Sequence, residues 1–208
     1  MPNVFKVTTA GLLISGGRSE RMGRPKALLD LGGQTFLGRI LANLLAAGVS
    51  PRIVVAGSHA DLIEPQLPPE VALIRNPNPD RGMFSSIQCG LEFLSQRAPG
   101  QAVLICLVDH PAVAPSTYEA LVRALRSEVL RIVRPRNGGR SGHPILLSPE
   151  MVNLARRADP RGTLRDVLRS QHTAILDLDV EDPAIHWDVD TPEDYATIAT
   201  RFPGKHPD

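Results

Sequence analysis

A chain of 208 residues with 42% hydrophobic content is long enough for one sizeable core, and a single compact domain over residues 1–208 is the expectation. Its 23 basic and 22 acidic residues leave a formal net charge of +1, which argues against a protein built to grip a nucleic acid backbone or an anionic membrane surface; any basic site has to be local. Cys89 and Cys106 lie in apolar stretches without CxxC spacing, so buried free thiols in a reducing cytoplasm are expected, and neither an export signal nor a bilayer-spanning apolar run is read.

In chain order, the apolar run Ala10 to Ile14 predicts a short buried strand that breaks at Ser15-Gly16-Gly17. Phe36, Leu37, Ile40, Leu41, Leu44 and Leu45 recur at helical spacing between Gln34 and Ala47, with Gly48 as a stop. Strands follow at Arg52 to Gly57 and Val71 to Arg75, then a helix over Ser85 to Arg97. Ala102 to Val108 is apolar throughout, as strands covered on both faces are, and delivers Asp109 at its carboxyl end. A helix over Ser116 to Arg126 leads to shorter pieces: extended at 131–134, 144–147 and 174–178, helical near 149–156, 162–169 and 192–199. Strands alternating with helices imply an α/β fold, three-layer αβα and Rossmann-like, with a mainly parallel sheet and ligands at the strands' carboxyl ends. Both the glycine loop and Asp109 fall on that edge. Residues 1–115 would form a nucleotide-binding half, 116–201 an acceptor-binding half, and 202–208 a loose tail.

The first loop carries Gly16, Gly17 and Gly23 together with Arg18, Arg21, Arg24 and Lys26. Glycines let backbone N–H groups approach phosphate oxygens and the cations neutralise them, which describes a polyphosphate cradle. A Walker loop is disfavoured because Gly23 is followed by Arg24-Pro25-Lys26, and Gly16-Gly17 does not supply a dinucleotide fingerprint. Asp109 stands where a magnesium-holding carboxylate would be useful, although an acid after a buried strand also serves as a turn or cap residue. In Trp187-Asp188-Val189-Asp190-Thr191-Pro192-Glu193-Asp194 a helix start is evident, with Asp190 or Thr191 as cap and Pro192 in the first turn. Alternation would point Asp188 and Asp190 to the same side. Between Arg134 and Pro144, Arg136, Arg140 and His143 are interleaved with glycines, a pattern suited to an anionic acceptor such as a phosphate monoester.

The string Gly16-Gly17-Arg18-Ser19-Glu20-Arg21-Met22-Gly23-Arg24-Pro25-Lys26 resembles the signature of the MobA-like nucleotidyltransferase superfamily, and its continuation through Gly33 is most similar to the molybdenum cofactor cytidylyltransferase branch. The resemblance implies the nucleotide-diphospho-sugar transferase type of fold. It also implies a loop of Ser15, Gly16, Gly17, Arg18 and Gly23 around a triphosphate, with Arg21 and Lys26 on its phosphates in catalytic roles. Asp109-His110-Pro111 resembles the family's Asp-x-Pro element, implying that Asp109 holds Mg2+, with Mn2+ as an alternative; His110 stands where Met is common. Asp188-Val189-Asp190-Thr191-Pro192-Glu193-Asp194 resembles the closing motif whose Asp joins the metal, Asp190 being favoured and Asp188 the alternative. Asn76-Pro77 through Ser86 resembles a nucleotide-pocket element, implying roles for Asn76, Gly82 and Ser86 with CTP as the favoured donor over GTP. Gly142-His143-Pro144 resembles an element beside the acceptor pocket. The activity implied is transfer of CMP to a phosphorylated small molecule of the molybdopterin type with release of pyrophosphate; a molybdoenzyme or insertion chaperone is an implied partner. The alternatives are a related transferase using GTP or acting on a sugar or alditol phosphate, and a non-catalytic nucleotide-binding chaperone.

Overall fold

The computed structural model describes residues 8–17, 22–125 and 132–203. Eight strands form one sheet: β1 (Thr9–Ser15), β2 (Arg52–Ala56), β3 (Val71–Arg75), β4 (Ala102–Leu107), β5 (Ile132–Asn137), β6 (Arg140–Ser141), β7 (Ile145–Leu147) and β8 (Ile175–Asp179). Seven α-helices accompany them among the described residues: α1 (Phe36–Ala46), α2 (Ala60–Ile63), α3 (Met83–Arg97), α4 (Pro115–Leu125), α5 (Pro149–Arg157), α6 (Leu164–Ser170) and α7 (Pro192–Ala199). The sheet runs β3-β2-β1-β4-β7-β5, parallel from β3 to β4, with β7 antiparallel to both its neighbours. This is the mostly parallel α/β sheet expected from the alternation of elements.

Period-2 alternation in the buried strands sends successive residues to opposite faces. Leu13, Val54, Leu104 and Cys106 join α1 and α4 in one apolar cluster, whereas Leu12, Ile53, Val55, Val103 and Ile105 join α3, α5 and α6 in the other. Cys106 is buried and Cys89 partly so, both as free thiols. Gly90 lets α3 lie close on the sheet: a Cβ there would stand 2.4 Å from Leu12 Cδ1 and 2.9 Å from Val55 Cγ2. Gly90→Ala should therefore cost about 1–3 kcal/mol of stability as overpacking, measured by urea denaturation.

Helix boundaries follow local chemistry. Thr35 caps α1 by accepting from the Gly38 amide, and Thr163 and Thr191 form capping boxes with Asp166 and Asp194, so Thr191 and not Asp190 is the cap of α7. Helix α3 begins two residues before the expected Ser85, because Gly82 at φ 86° makes the turn and no side chain caps it.

Strands β6 and β7 lie on the same edge of β5, while β8 takes the other edge. Gly142-His143-Pro144 interrupts them as an irregular bulge beside the site, a place where bulges re-aim side chains. There is no room for a side chain at Gly142, whose Cβ would fall 2.3 Å from the Ile185 carbonyl oxygen. The closing segment packs back on the first half of the chain. Asp182 accepts from the Ala114 amide and the Thr117 hydroxyl, Ile185 and Val189 are buried, and the Tyr195 hydroxyl donates to the Asp30 carbonyl at 2.8 Å. Residues 187–190 belong to no strand, so the alternation expected for Asp188 and Asp190 does not operate there.

Candidate nucleotide and metal site

The carboxyl ends of β1 and β4 open into a cavity of about 750 Å3. Ser15, Gly16 and Gly17 form one wall where β1 ends, Gly82, Met83 and Ser86 form the lip beside it, and Lys26, Asp109 and Asp190 line the same cavity. The close wall needs glycine: a Cβ on Gly16 would lie 2.6 Å from the Ser86 hydroxyl oxygen, and one on Gly57 would lie 2.9 Å from the Gly16 carbonyl. Asn76 is buried behind this wall. Its amide donates to the Ser85 and Ser86 hydroxyls at 2.9 Å each and its carbonyl accepts from the Asn78 amide, so it fixes the lip from behind and does not line the cavity. Gly23, at φ 65°, turns the chain toward Lys26 without lining the cavity. Arg18 and Arg21 lie outside the described residues.

Lys26 opens a short 3-10 turn, and its ammonium donates to Asp190 Oδ1 at 2.5 Å. Asp109 is brought there by β4, and the Val189 amide donates to the Asp109 carbonyl at 2.9 Å, which ties the segment carrying Asp190 to the end of β4. Burial pushes the Asp109 carboxyl up, the Lys26 ammonium pulls it the other way, and Asp190 adds to the rise. Asp109 Oδ1 is buried without a hydrogen-bond partner. Two carboxylates beside a cation are hard oxygen donors of the kind Mg2+ or Mn2+ takes. Among the described residues no group of three or more His, Cys, Asp and Glu side chains forms a ready cage. A metal here would draw further oxygens from phosphates and water, as magnesium commonly does.

Asp188 is exposed and lines a separate, smaller cavity with His186, Trp187 and Arg201. His110 and His143 pack ring to ring at 5.1 Å. Burial lowers both imidazoles to about 4 from an ordinary 6.5. Because the unfolded chain binds protons on these rings first, their neutral burial contributes stability above pH 6.5 that is lost as pH falls toward about 4, on the order of 3 kcal/mol for a shift of this size. Asp109, with its raised pKa, works in the opposite direction. His143→Gln should therefore flatten the fall of urea midpoint across that acid range relative to wild type.

In the proposed acceptor lobe, Arg136 is held bidentate by Asp179 at 2.8 and 3.0 Å, and Arg134 by Asp177, so acids of β8 neutralise much of the charge of β5. Arg140 is exposed on the hairpin. The Asp-Leu-Asp alternation at 177–179 carries the signal for this pairing, but its register with β5 is set 43 residues away. Pro79 and Asp80 also line the cavity; they fall inside the Asn76 to Ser86 stretch, at positions where the resemblance specifies no residue.

Comparison with known proteins fits this geometry. The pattern of the MobA-like NTP transferase domain matches residues 11–175. A protein of Rhodopirellula baltica named probable molybdenum cofactor guanylyltransferase is 33% identical over 134 residues, 64% of this chain and 63% of its own length. The match thus spans somewhat less than two thirds of that relative. The molybdenum cofactor cytidylyltransferase of Escherichia coli is 24% identical over 92% of this chain and 95% of its own. The crystal structure of Rv0371c from Mycobacterium tuberculosis superposes with a TM-score of 0.77 at 25% identity, covering 93% of this chain and 98% of that one. With the domain pattern covering most of the chain, and the sheet and glycine loop arranged as described, the protein belongs to the MobA-like NTP transferase family.

Proposed function

We propose that this protein is a divalent-metal-dependent nucleotidyltransferase that moves a nucleoside monophosphate from an NTP to a phosphorylated small molecule, with CTP as the favoured donor and a molybdopterin-type acceptor. The observation that carries this reading is the meeting of Lys26, Asp109 and Asp190 in the cavity beneath the Ser15-Gly16-Gly17 wall. In the reaction, a phosphate oxygen of the acceptor forms a bond to the α-phosphorus in line with the bond to the β-phosphate, which breaks, and pyrophosphate leaves with the electron pair. A phosphate monoester is already anionic near neutral pH, so the chain need not supply a strong base; positioning and charge stabilisation carry the rate.

Gly16 and Gly17 allow the backbone to approach the triphosphate, and Lys26 neutralises its phosphates. Asp109 and Asp190 would hold Mg2+ or Mn2+, which when bound supplies charge neutralisation of the triphosphate. Arg18 and Arg21 of the same loop are proposed to join Lys26 on the phosphates. Arg140 and His143, with Arg136 once released from Asp179, would receive the acceptor beside the Gly142 bulge. The name of the Escherichia coli relative favours the pyrimidine base. The name of the Rhodopirellula baltica relative favours GTP instead. No helix among the described residues is long and apolar enough to cross a membrane, and the free thiols suit a cytoplasmic setting.

Pyrophosphate release, followed with each of four NTPs against molybdopterin and a panel of sugar and alditol phosphates, with and without Mg2+ or Mn2+, tests the assignment. Release with CTP and molybdopterin that depends on the metal is expected. Release with GTP alone would transfer the donor to a purine, and none with any pair would overturn the enzymatic reading.

A further inference from the structure

Among the described residues, five buried side-chain polar atoms lack a hydrogen-bond partner, and three of them, Asp109 Oδ1, His110 Nδ1 and His143 Nδ1, belong to one cluster at the site. Each such atom ordinarily destabilises a fold, so three together mark a place organised for something other than stability. The His110 ring turns its Nε2 toward Asp109 Oδ1 at 4.0 Å, and no other donor reaches that oxygen.

We infer that His110 is a positioning residue whose Nε2–H closes onto Asp109 Oδ1 when metal and nucleotide bind, fixing the carboxylate so that its remaining lone pairs face the metal. This rests on the reading of Asp109 as a metal ligand. Four ångströms is too long for a hydrogen bond, but such contacts are commonly loose in ligand-free sites and tighten in the complex. A neutral imidazole carries a single N–H, and beside a carboxylate oxygen the favoured tautomer puts it on the facing nitrogen, because a lone pair there would repel the anion. The ring is held in place by the tilted ring of His143 behind it, whose backbone amide donates to the Ile185 carbonyl at 3.1 Å. Carboxylates that bind metals are typically hydrogen-bonded in turn, and loss of that outer partner weakens metal affinity by about 10–100-fold.

The geometry of amide side chains separates this role from one in which His110 only packs against the site: glutamine places an N–H near the imidazole Nε2 position, asparagine near Nδ1. Mn2+ affinity of the full chain, with CTP or GTP present and no acceptor, can be read from the paramagnetic resonance of the free ion, so no turnover is needed. His110→Gln should bind Mn2+ within about twofold of wild type, whereas His110→Asn and His110→Leu should bind about 10-fold or more weakly. Equal affinity in all three variants, or rescue by asparagine in place of glutamine, overturns the positioning role. Asp109→Asn separates the two levels: if it binds Mn2+ as wild type does, the ligand assignment fails. If it binds weakly while every His110 variant binds normally, only the positioning role fails. A wild type that takes up no Mn2+ overturns both.

Discussion

Lys26→Ala should lower the rate of pyrophosphate release by about 10³-fold while the protein remains folded, the loss typical when a preorganised donor to developing charge is removed. The Lys26 side chain is largely buried, at 14% exposure, and already faces into the cavity where a triphosphate would lie. Its partner Asp190 is 41% exposed, so the pair is partly screened and its contribution to stability is about 1 kcal/mol or less. That disparity is diagnostic: a thermal melt within a few degrees of wild type beside a collapse in kcat places Lys26 in the chemistry. Lys26→Arg should recover little, because a planar guanidinium does not fit the point-charge contact with Asp190. Equal rates in wild type and Lys26→Ala would remove the phosphate-loop assignment.

Asp109→Asn should have effects of opposite sign on function and on stability. Pyrophosphate release should fall by about 10²-fold or more, since a neutral amide neither neutralises nor orients a divalent ion as a carboxylate does. Stability at neutral pH should rise by about 1 kcal/mol, because Oδ1, buried without a hydrogen-bond partner, no longer belongs to a charged group, while the Lys26 ammonium and the partial exposure of the side chain offset part of the gain. The sign follows from linkage. Burial raises the folded pKa of Asp109, so between the unfolded value of 3.8 and that raised value the native state binds more protons, and stability falls as pH increases through the window. The stabilisation by the variant should accordingly fade as the medium is acidified toward that unfolded value. Equilibrium denaturation at several pH values, set beside turnover, checks both halves; a destabilised Asp109→Asn would show that Lys26 more than offsets the burial of the carboxylate. Such trade-offs mark residues retained for chemistry at the expense of stability.

The elements whose signal is local were legible in the chain. The continuous apolar run before Asp109, the helical spacing after Gln34 and the glycines after β1 all appear within a residue or two of where they were expected, because burial on both faces and turn chemistry act over short distances. The reversed strand β7 and the pairing of β5 with β8 were not readable, since register across tens of residues depends on tertiary packing. That is why Arg136 looked available for an anionic ligand when its guanidinium lies against Asp179. Asp188 and Asp190 resisted a choice for the same reason: a strand would have paired them, but after the 3-10 turn at Pro183–His186 the segment is irregular and its Val189 N–H donates to the Asp109 carbonyl, and the two acids line different cavities. The short helix α2 carries too few residues to leave a periodic trace.

The closing segment holds one acid of the site by anchors outside the sheet. All eight strands end before Val180, yet Asp190 arrives on a later stretch anchored by Ile185, Val189 and the Tyr195 hydroxyl. Stretches of this kind detach at a lower free-energy cost than the sheet they cover. Heating should therefore extinguish metal-dependent turnover several degrees before ellipticity is lost, and bound nucleotide with Mn2+ should narrow the gap by clamping the two halves of the chain together.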